Sequence, residues 1–167
     1  MAILLLGSCR DRHQDEDTLP PATQEGKNTG GALVDGKVWV AKIEAPDSNP
    51  GGNNTIYKDV NGENSITIVL RKVGVPVSNQ MQINVTTTEE LAVKTYNFFD
   101  VNQNRAAFYI SPNTYFTEVG IPNGTLKITR FDKVNNIVSG TFSFTAKNSS
   151  GQQIKVTEGR FDRKFFK

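Results

Sequence analysis

The chain has 167 residues, of which 37% are apolar and 22% charged, and its 19 basic and 17 acidic side chains leave a net charge of +2. That length suits one compact domain rather than two. The near balance of charge, without a basic run interleaved with aromatic residues, argues against nucleic-acid binding. One cysteine, Cys9, and one histidine, His13, exclude an internal disulfide, a Cys/His zinc site and a histidine-activated nucleophile within the fold.

The chain opens with an apolar run that ends at its single cysteine. Leu6–Cys9 resembles the bacterial lipobox, in which a branched apolar residue and two small residues precede a cysteine that is acylated. The basic n-region and the apolar core of about 7–15 residues that complete such a signal do not fit before Cys9. The coding frame is therefore expected to begin further upstream. The resemblance implies lipidation at Cys9 and a cell-envelope location, with stable anchoring by two or more acyl chains. The alternative is a cytosolic protein with a short apolar N-terminus.

Residues 1–9 are thus interpreted as a signal remnant, residues 10–30 as a flexible tether and residues 31–167 as the folded domain. The tether includes Pro20-Pro21 and has no hydrophobic periodicity, so it is not expected to fold alone. Its acidic group Asp15–Asp17 resembles the export signal of surface lipoproteins in Bacteroidota, although solvated linker charge is an equal alternative. Asp17-Thr18-Leu19 resembles a short O-glycosylation motif of the same bacteria.

From Gly31 onward the apolar residues recur with a period of two, which predicts β-strands. Asp35-Gly36 between Leu33-Val34 and Val38–Val40 predicts a hairpin. Further turns are predicted at Asn61-Gly62, Asn123-Gly124 and Asn148–Gly151. About nine to ten short strands at this spacing predict an all-β fold, a single antiparallel β-sandwich or barrel-like domain. The last three strands are expected to form a meander, and the only helical candidate is a turn or two at Thr88–Ala92.

Carboxylates are the remaining candidates for catalysis. A glycosidase needs two of them facing each other across a cleft, and the sequence scatters its candidates among strand ends and turns: Glu44, Asp100, Glu118, Asp132, Glu158 and Asp162. A structural role for these residues is favoured at this chain size, so the sequence predicts a protein that is not an enzyme.

A weak candidate for a metal site is the run Asp100, Asn102 and Asn104, which places oxygen ligands at alternate positions, as the start of an EF-hand loop does. The sixth position is Arg105 rather than glycine and the twelfth is Ser111 rather than glutamate. The run is therefore not an EF-hand, and Asp and Asn are also the commonest turn residues. No metal and no cofactor is predicted.

Aromatic side chains are candidates for ligand contact because a flat apolar ring with a polar edge suits sugars and proteins. The candidates are Trp39, Tyr57, Tyr96, Tyr109 and Tyr115. For Trp39, a core-packed indole is the favoured alternative.

The sequence Arg-Phe-Asp occurs twice, within Thr129–Asp132 and Gly159–Asp162. On a strand, the Arg and Asp share one face and the Phe takes the other. If the two segments are neighbours, their charges are expected to pair across strands, and the phenylalanines are expected to enter the core.

Several stretches together resemble a family of small uncharacterised lipoproteins from Bacteroidota, a domain of unknown function. They are Leu6–Cys9, Leu19–Gly26, Leu33–Val40, Leu126–Asp132, Ser139–Phe144 and Gly159–Asp162. The resemblance implies the envelope location and the β fold, and no activity. The favoured function is a non-catalytic binding or interaction module, anchored to the membrane through its lipid, whose partner is a glycan or an envelope protein. Loop Ala45–Asn54 is expected to make contacts. The alternatives are a structural or accessory component of an envelope assembly and, less favoured, a carboxylate-dependent hydrolase.

Overall fold

The computed structural model describes residues 18–42, 55–73, 78–99 and 104–167. This part of the chain contains eleven strands and no helix, so Thr88–Ala92 is not helical. No segment of it forms a helix of the length and hydrophobicity needed to cross a membrane. The strands are β1 Thr29–Val34, β2 Lys37–Val40, β3 Thr55–Val60, β4 Glu63–Lys72, β5 Asn79–Thr87, β6 Thr95–Asn97, β7 Arg105–Ile110, β8 Asn113–Phe116, β9 Gly124–Asp132, β10 Ile137–Lys147 and β11 Gln153–Lys164.

All eleven strands belong to one antiparallel sheet, in the order β2-β1-β11-β10-β8-β7-β5-β4-β3. One edge of strand β10 pairs with two strands in succession. Strand β9 pairs with the first eight residues of β10, and β8 pairs with it at Lys147, opposite Phe116. Strand β6 pairs only with β9. The last three strands form the expected consecutive meander.

The sheet curls into a half-barrel whose two ends come together. Lys42, just after β2, forms a bridge with Lys72 at the end of β4, and Ile56 in β3 forms a bridge with Phe166. Backbone hydrogen bonds hold the second junction, with Tyr57 N–H donating to Phe166 O at 2.8 Å. The all-β prediction is confirmed, in its barrel-like form and with eleven strands rather than nine or ten.

Strict alternation fills the half-barrel with apolar side chains. Each fully buried Ile, Leu, Val or Phe of this kind contributes roughly 1.5–3 kcal/mol to stability relative to an exposed one. The largest fully buried side chains are Phe98, Ile66, Ile68, Leu70, Met81, Ile83, Leu126, Ile128, Val85, Val138, Val156 and Thr55. Their neighbours along each strand point outward and form the convex face of the sheet.

Two of the predicted turns have the expected backbone. Asp35 and Gly36 have φ of 48° and 79° between β1 and β2, and Asn61 and Gly62 have φ of 53° and 80° between β3 and β4. Positive φ at both central residues is the geometry that matches the twist of a two-residue hairpin. The prediction at Asn148–Gly151 is also confirmed, because Asn148 Oδ1 accepts hydrogen bonds from the N–H groups of Ser150 and Gln152.

The turn predicted at Asn123-Gly124 is wrong. Gly124 opens β9 instead, and a Cβ on it would lie 2.5 Å from the carbonyl oxygen of Ser143 and 2.5 Å from Cβ of Phe144. The glycine therefore serves close packing of β9 against β10 rather than a positive φ. Asn123 stabilises the preceding loop, since its side-chain amide donates to the carbonyl of Glu118.

The segment of residues 18–28, here called the N-terminal strap, is docked on the domain although the sequence placed it in the tether. Four of its groups donate hydrogen bonds to the carboxylate of Asp162: the Thr23 hydroxyl and the N–H groups of Glu25, Gly26 and Lys27. Strand β1 then starts at Thr29. The fold therefore begins before residue 31, because a buried carboxylate satisfies the strap's polar groups, which composition alone does not reveal.

Candidate functional site

Four of the five aromatic candidates are part of the core, so they do not form an exposed platform. Trp39 is 6% exposed, packs edge-on against Phe108 and donates its indole N–H to Asn79 Oδ1 at 2.6 Å. Tyr57, Tyr96 and Tyr115 are 4%, 5% and 9% exposed. Tyr57 donates its hydroxyl to Asn64 Oδ1 at 2.5 Å, and the Tyr96 hydroxyl bonds the backbone of Ala92.

Tyr109 is the exception, because it lies half-buried on the convex face of β7. It borders a groove of about 440 Å³ where the β7–β8 turn meets the ends of β4 and β5. The groove is lined mainly by hydroxyl, amide and guanidinium groups around one aromatic ring: Arg71, Ser78, Asn79, Gln80, Tyr109, Ile110, Ser111, Pro112, Asn113 and Thr114.

Phe116 is the partner of Tyr109 on this face. The two rings meet edge to face, with centroids 6.0 Å apart and an interplanar angle of 86°. Phe116 is 43% exposed, so together with Tyr109 it presents an aromatic pair on the convex face. The sequence analysis missed Phe116, although strict alternation with an inward Tyr115 predicts an outward side chain at the next position.

Side-chain amides continue the convex face across β5 and β4. Gln80 pairs in register with Tyr109 on one side and with Arg71 on the other, and its Oε1 accepts from Arg71 Nε and Nη2 at 3.2 and 3.0 Å. Asn84 Oδ1 accepts from Thr67 Oγ1 at 2.9 Å and from Gln82 Nε2 at 3.3 Å. Cross-strand bonds of this kind fix the amides in place without burying them.

A second groove of about 780 Å³ lies on the other side of Phe116. It is lined by Arg105, Phe116, Thr117, Glu118, Val119, Lys147, Asn148, Ser149 and Gly151. Asn148 of this groove and Asn113 of the first are joined by a 3.4 Å hydrogen bond. Arg105 and Tyr109 lie four residues apart on one face of β7, a separation of roughly 13 Å. We call the surface formed by Arg71, Gln80, Tyr109, Phe116 and Arg105 the outer strip.

Each carboxylate candidate among the described residues has polar partners. Glu118 pairs with Lys147 at 3.0 Å and Glu158 with Arg160 at 3.4 Å. Asp132 accepts hydrogen bonds from Asn135, Arg130 and Val134, which hold the pKa of this carboxyl well below its usual range. A general acid needs a raised pKa instead. Glu44 and Asp100 lie outside the described residues.

Asp162 is the most buried of these carboxylates, at 1% exposure. Burial alone would raise the pKa of Asp162, but hydrogen bonds from Thr23, the Glu25 N–H, Ser139 and the Gly26 N–H together hold it well below its usual range. The adjacent Arg163 is 3% exposed, and burial lowers the pKa of its guanidinium to about 10 against the opposing effect of Asp162. This cluster fastens the N-terminal strap and leaves Asp162 sealed from substrate.

The two Arg-Phe-Asp segments flank β10, with Arg130 and Asp162 both paired in register to Ser139. Their charges do not pair across strands as expected. Arg130 pairs with Asp132 of its own segment at 2.7 Å and also donates to the carbonyl of Gln24, while Asp162 binds the strap from the other side. Phe161 is buried, and Phe131 packs partly buried against the core, as the alternation predicts.

The metal candidates are not assembled into a site by the described residues. Asp100 and Asn102 lie outside that part of the chain, and the side-chain oxygen of Asn104 accepts a hydrogen bond from the Thr86 N–H. Where the structure is described, no three His, Cys, Asp or Glu side chains gather to hold a metal ion. Cys9 and loop Ala45–Asn54 also lie outside the described residues.

The fold and the outer strip define an all-β half-barrel domain with a polar, aromatic-centred groove on its convex face. A family model described as a domain of unknown function, DUF6252, matches residues 31–163. The chain belongs to this family. No curated protein and no solved structure matches it.

Proposed function

We propose that this protein is a lipid-anchored component of a bacterial envelope whose domain binds a saccharide along the outer strip. The observation that supports this most directly is the Tyr109–Phe116 pair, set between two grooves and bordered by fixed amides. A sugar ring offers an apolar C–H face and a rim of hydroxyl groups. An aromatic pair with amide and guanidinium groups beside it complements both features.

The arrangement favours a binding role over catalysis. Glu118, which lines the second groove, is bonded to Lys147. Asp162, which holds the strap, accepts five hydrogen bonds. Both carboxylates are therefore engaged by partners within the fold. Fixed polar groups on a rigid sheet suit recognition, because they lose little freedom when a ligand binds. The outer strip itself lies on strands, so its geometry is set by the sheet rather than by the loops that the sequence analysis favoured.

Membrane attachment through Cys9 is the second part of the proposal, and it rests on the resemblance of Leu6–Cys9 to a lipobox. An anchor of this kind holds the domain beside the envelope and raises the local concentration of any polysaccharide that it meets there. The alternative is an accessory component joined by strand addition. The outer edge of β3 is already bonded to Phe166 at Tyr57, so such a partner would add to β2, which pairs with β1 alone among the described strands.

A panel of immobilised oligosaccharides tests the binding role. The full chain carrying Cys9→Ser, which removes the acylation site, is applied to oligomers of glucose, mannose, galacturonate and methyl-esterified galacturonate. The proposal expects saturable binding to at least one oligomer, lost in a Tyr109→Ala/Phe116→Ala double variant and kept in Val134→Ala, a control whose side chain is 89% exposed on the β9–β10 turn. Binding to none of them, or binding that survives the double variant, contradicts the proposal.

A further inference from the structure

We infer that the second groove of the outer strip selects a carboxylate-bearing sugar, so that the saccharide bound by this protein is acidic. This inference rests on the proposed function and specifies its ligand. It follows from the positive charges and the exposed apolar side chains that line the second groove together.

The charge of the second groove is unbalanced. Arg105 and Lys147 contribute two positive charges and Glu118 one negative charge. Glu118 is committed to Lys147, with its two oxygens 3.2 and 3.0 Å from Nζ. No carboxylate among the described residues pairs with Arg105, which lies half-buried at the start of β7. A planar guanidinium offers two parallel donors that match a carboxylate, which makes it the natural anchor for one.

The apolar surface beside Arg105 suits a sugar ring that carries the acid. Phe116 is 43% and Val119 60% exposed, and both line the same groove as the guanidinium. A ring stacked on Phe116 would place a substituent toward Arg105, since both side chains line this groove. A free inorganic anion would use the charge and leave the apolar surface uncovered. The combination therefore favours a uronic-acid-like unit over a simple anion.

The two grooves adjoin each other, so together they suit a chain of sugars. Tyr109 lines the first groove and Phe116 the second, and their rings are in edge-to-face contact. A hydrogen bond between Asn113 of the first groove and Asn148 of the second also joins the two grooves. An oligomer is thus expected to lie across Tyr109 and Phe116, with an acidic unit at Arg105 and its next units toward Gln80.

The test compares galacturonate oligomers with their methyl esters, which keep the ring and lose the charge. We expect the full chain with Cys9→Ser to bind the acid about tenfold more tightly than the ester, as one charged hydrogen-bonded pair provides. Arg105→Gln should abolish that preference, and Arg105→Lys should keep part of it. Lys155→Gln, which removes one charge from an exposed position on β11, should leave the preference unchanged. Thermal unfolding checks that each variant folds.

The outcomes separate this inference from the proposed function. Equal binding of acid and ester, unaffected by Arg105→Gln, overturns the inference and leaves saccharide binding standing. An acid preference that Lys155→Gln weakens as much as Arg105→Gln also overturns it, because the effect is then long-range attraction rather than a site. If inorganic phosphate displaces the acid as effectively as galacturonate monomer does, the groove binds anions only, and the inference fails. Binding to neither oligomer nor to the neutral panel overturns both.

Discussion

The N–H of Gly26 donates a 2.7 Å hydrogen bond to Asp162 Oδ1, and this contact joins the N-terminal strap to β11 across 136 residues of sequence. The same carboxylate oxygen accepts the Ser139 hydroxyl at 2.8 Å. Asp162 thus holds strap, β10 and β11 together. Its five donors engage the carboxylate fully, so Asp162 serves the fold and is not part of the proposed ligand site on the outer strip.

Replacing Asp162 with asparagine is expected to destabilise the domain. The amide that replaces one carboxylate oxygen would face hydrogen-bond donors with its own N–H groups, so donors are left unsatisfied. We expect Asp162→Asn to lower the free energy of unfolding by about 3 kcal/mol, measured by urea denaturation. The control Glu158→Gln removes an ion pair whose carboxylate side is 61% exposed and should cost less than about 1 kcal/mol. Equal effects of the two substitutions would contradict the role given to Asp162.

Acid is expected to weaken the domain through the same carboxylate. The folded-state pKa of Asp162 lies below the value of about 3.9 of an unfolded aspartate. The stability that it contributes is therefore fully present above about pH 4 and is lost as the pH falls toward the folded value. Between pH 6 and pH 2.5 the free energy of unfolding should fall more steeply for the wild type than for Asp162→Asn. Asp132 is present in both chains, so its contribution cancels in the comparison. Parallel curves of unfolding free energy against pH would contradict the role given to Asp162.

Tyr109→Ala is expected to weaken saccharide binding without affecting the fold. Its ring stands on the convex face and lines the first groove, so its removal takes away a stacking surface and leaves the core intact. Affinity for the oligomer bound most tightly in the panel should fall by at least about tenfold, measured by isothermal titration calorimetry. Tyr109→Phe keeps the ring and should lose less. A Tyr109→Ala chain that binds as well as Val134→Ala would show that the ring is not part of the site.

Lipidation is expected at Cys9 when the gene is expressed together with its native upstream DNA in a Gram-negative host. Mass spectrometry of the membrane fraction should show a mature N-terminus at Cys9 carrying acyl mass, because the modified cysteine becomes the first residue. Cys9→Ser should remove both the acyl mass and the membrane association. An unmodified wild-type protein that retains Met1 would overturn the envelope part of the proposal.

The sequence predicts the strands and their hairpin turns better than it predicts contacts between distant segments. Alternation at Ile66, Ile68 and Leu70 identified β4 and its buried face, and the pairs Asp35-Gly36 and Asn61-Gly62 identified two hairpins, because these signals are local. The turn predicted at Gly124 is wrong, because the glycine is needed for close approach to β10, a strand whose position is not visible in the local sequence. The docking of the strap was missed for the same reason, as Asp162 lies far away in sequence.

The candidate site was only partly predictable. The sequence predicts Tyr109 as a contact together with four aromatic residues that pack in the core, because residue type does not distinguish an inward ring from an outward one. Phe116 and Arg105 are not among the ligand-contact candidates that the sequence analysis names, because their place beside Tyr109 on the outer strip depends on sheet register. Register brings Gln80 beside Tyr109 and Ala107 beside Phe116, and this pairing becomes visible only once the strands are ordered.

The most direct measurement is a two-dimensional amide NMR titration of the isotope-labelled Cys9→Ser chain with a galacturonate oligomer. We expect saturable shifts concentrated on Gln80, Tyr109, Phe116 and Arg105, with the N–H signals of Gly26 and Lys27 in the strap unchanged. Shifts confined to another surface, such as the turn at Val134, or no shifts with this oligomer or any oligomer of the panel, would contradict the claim that the outer strip binds a saccharide.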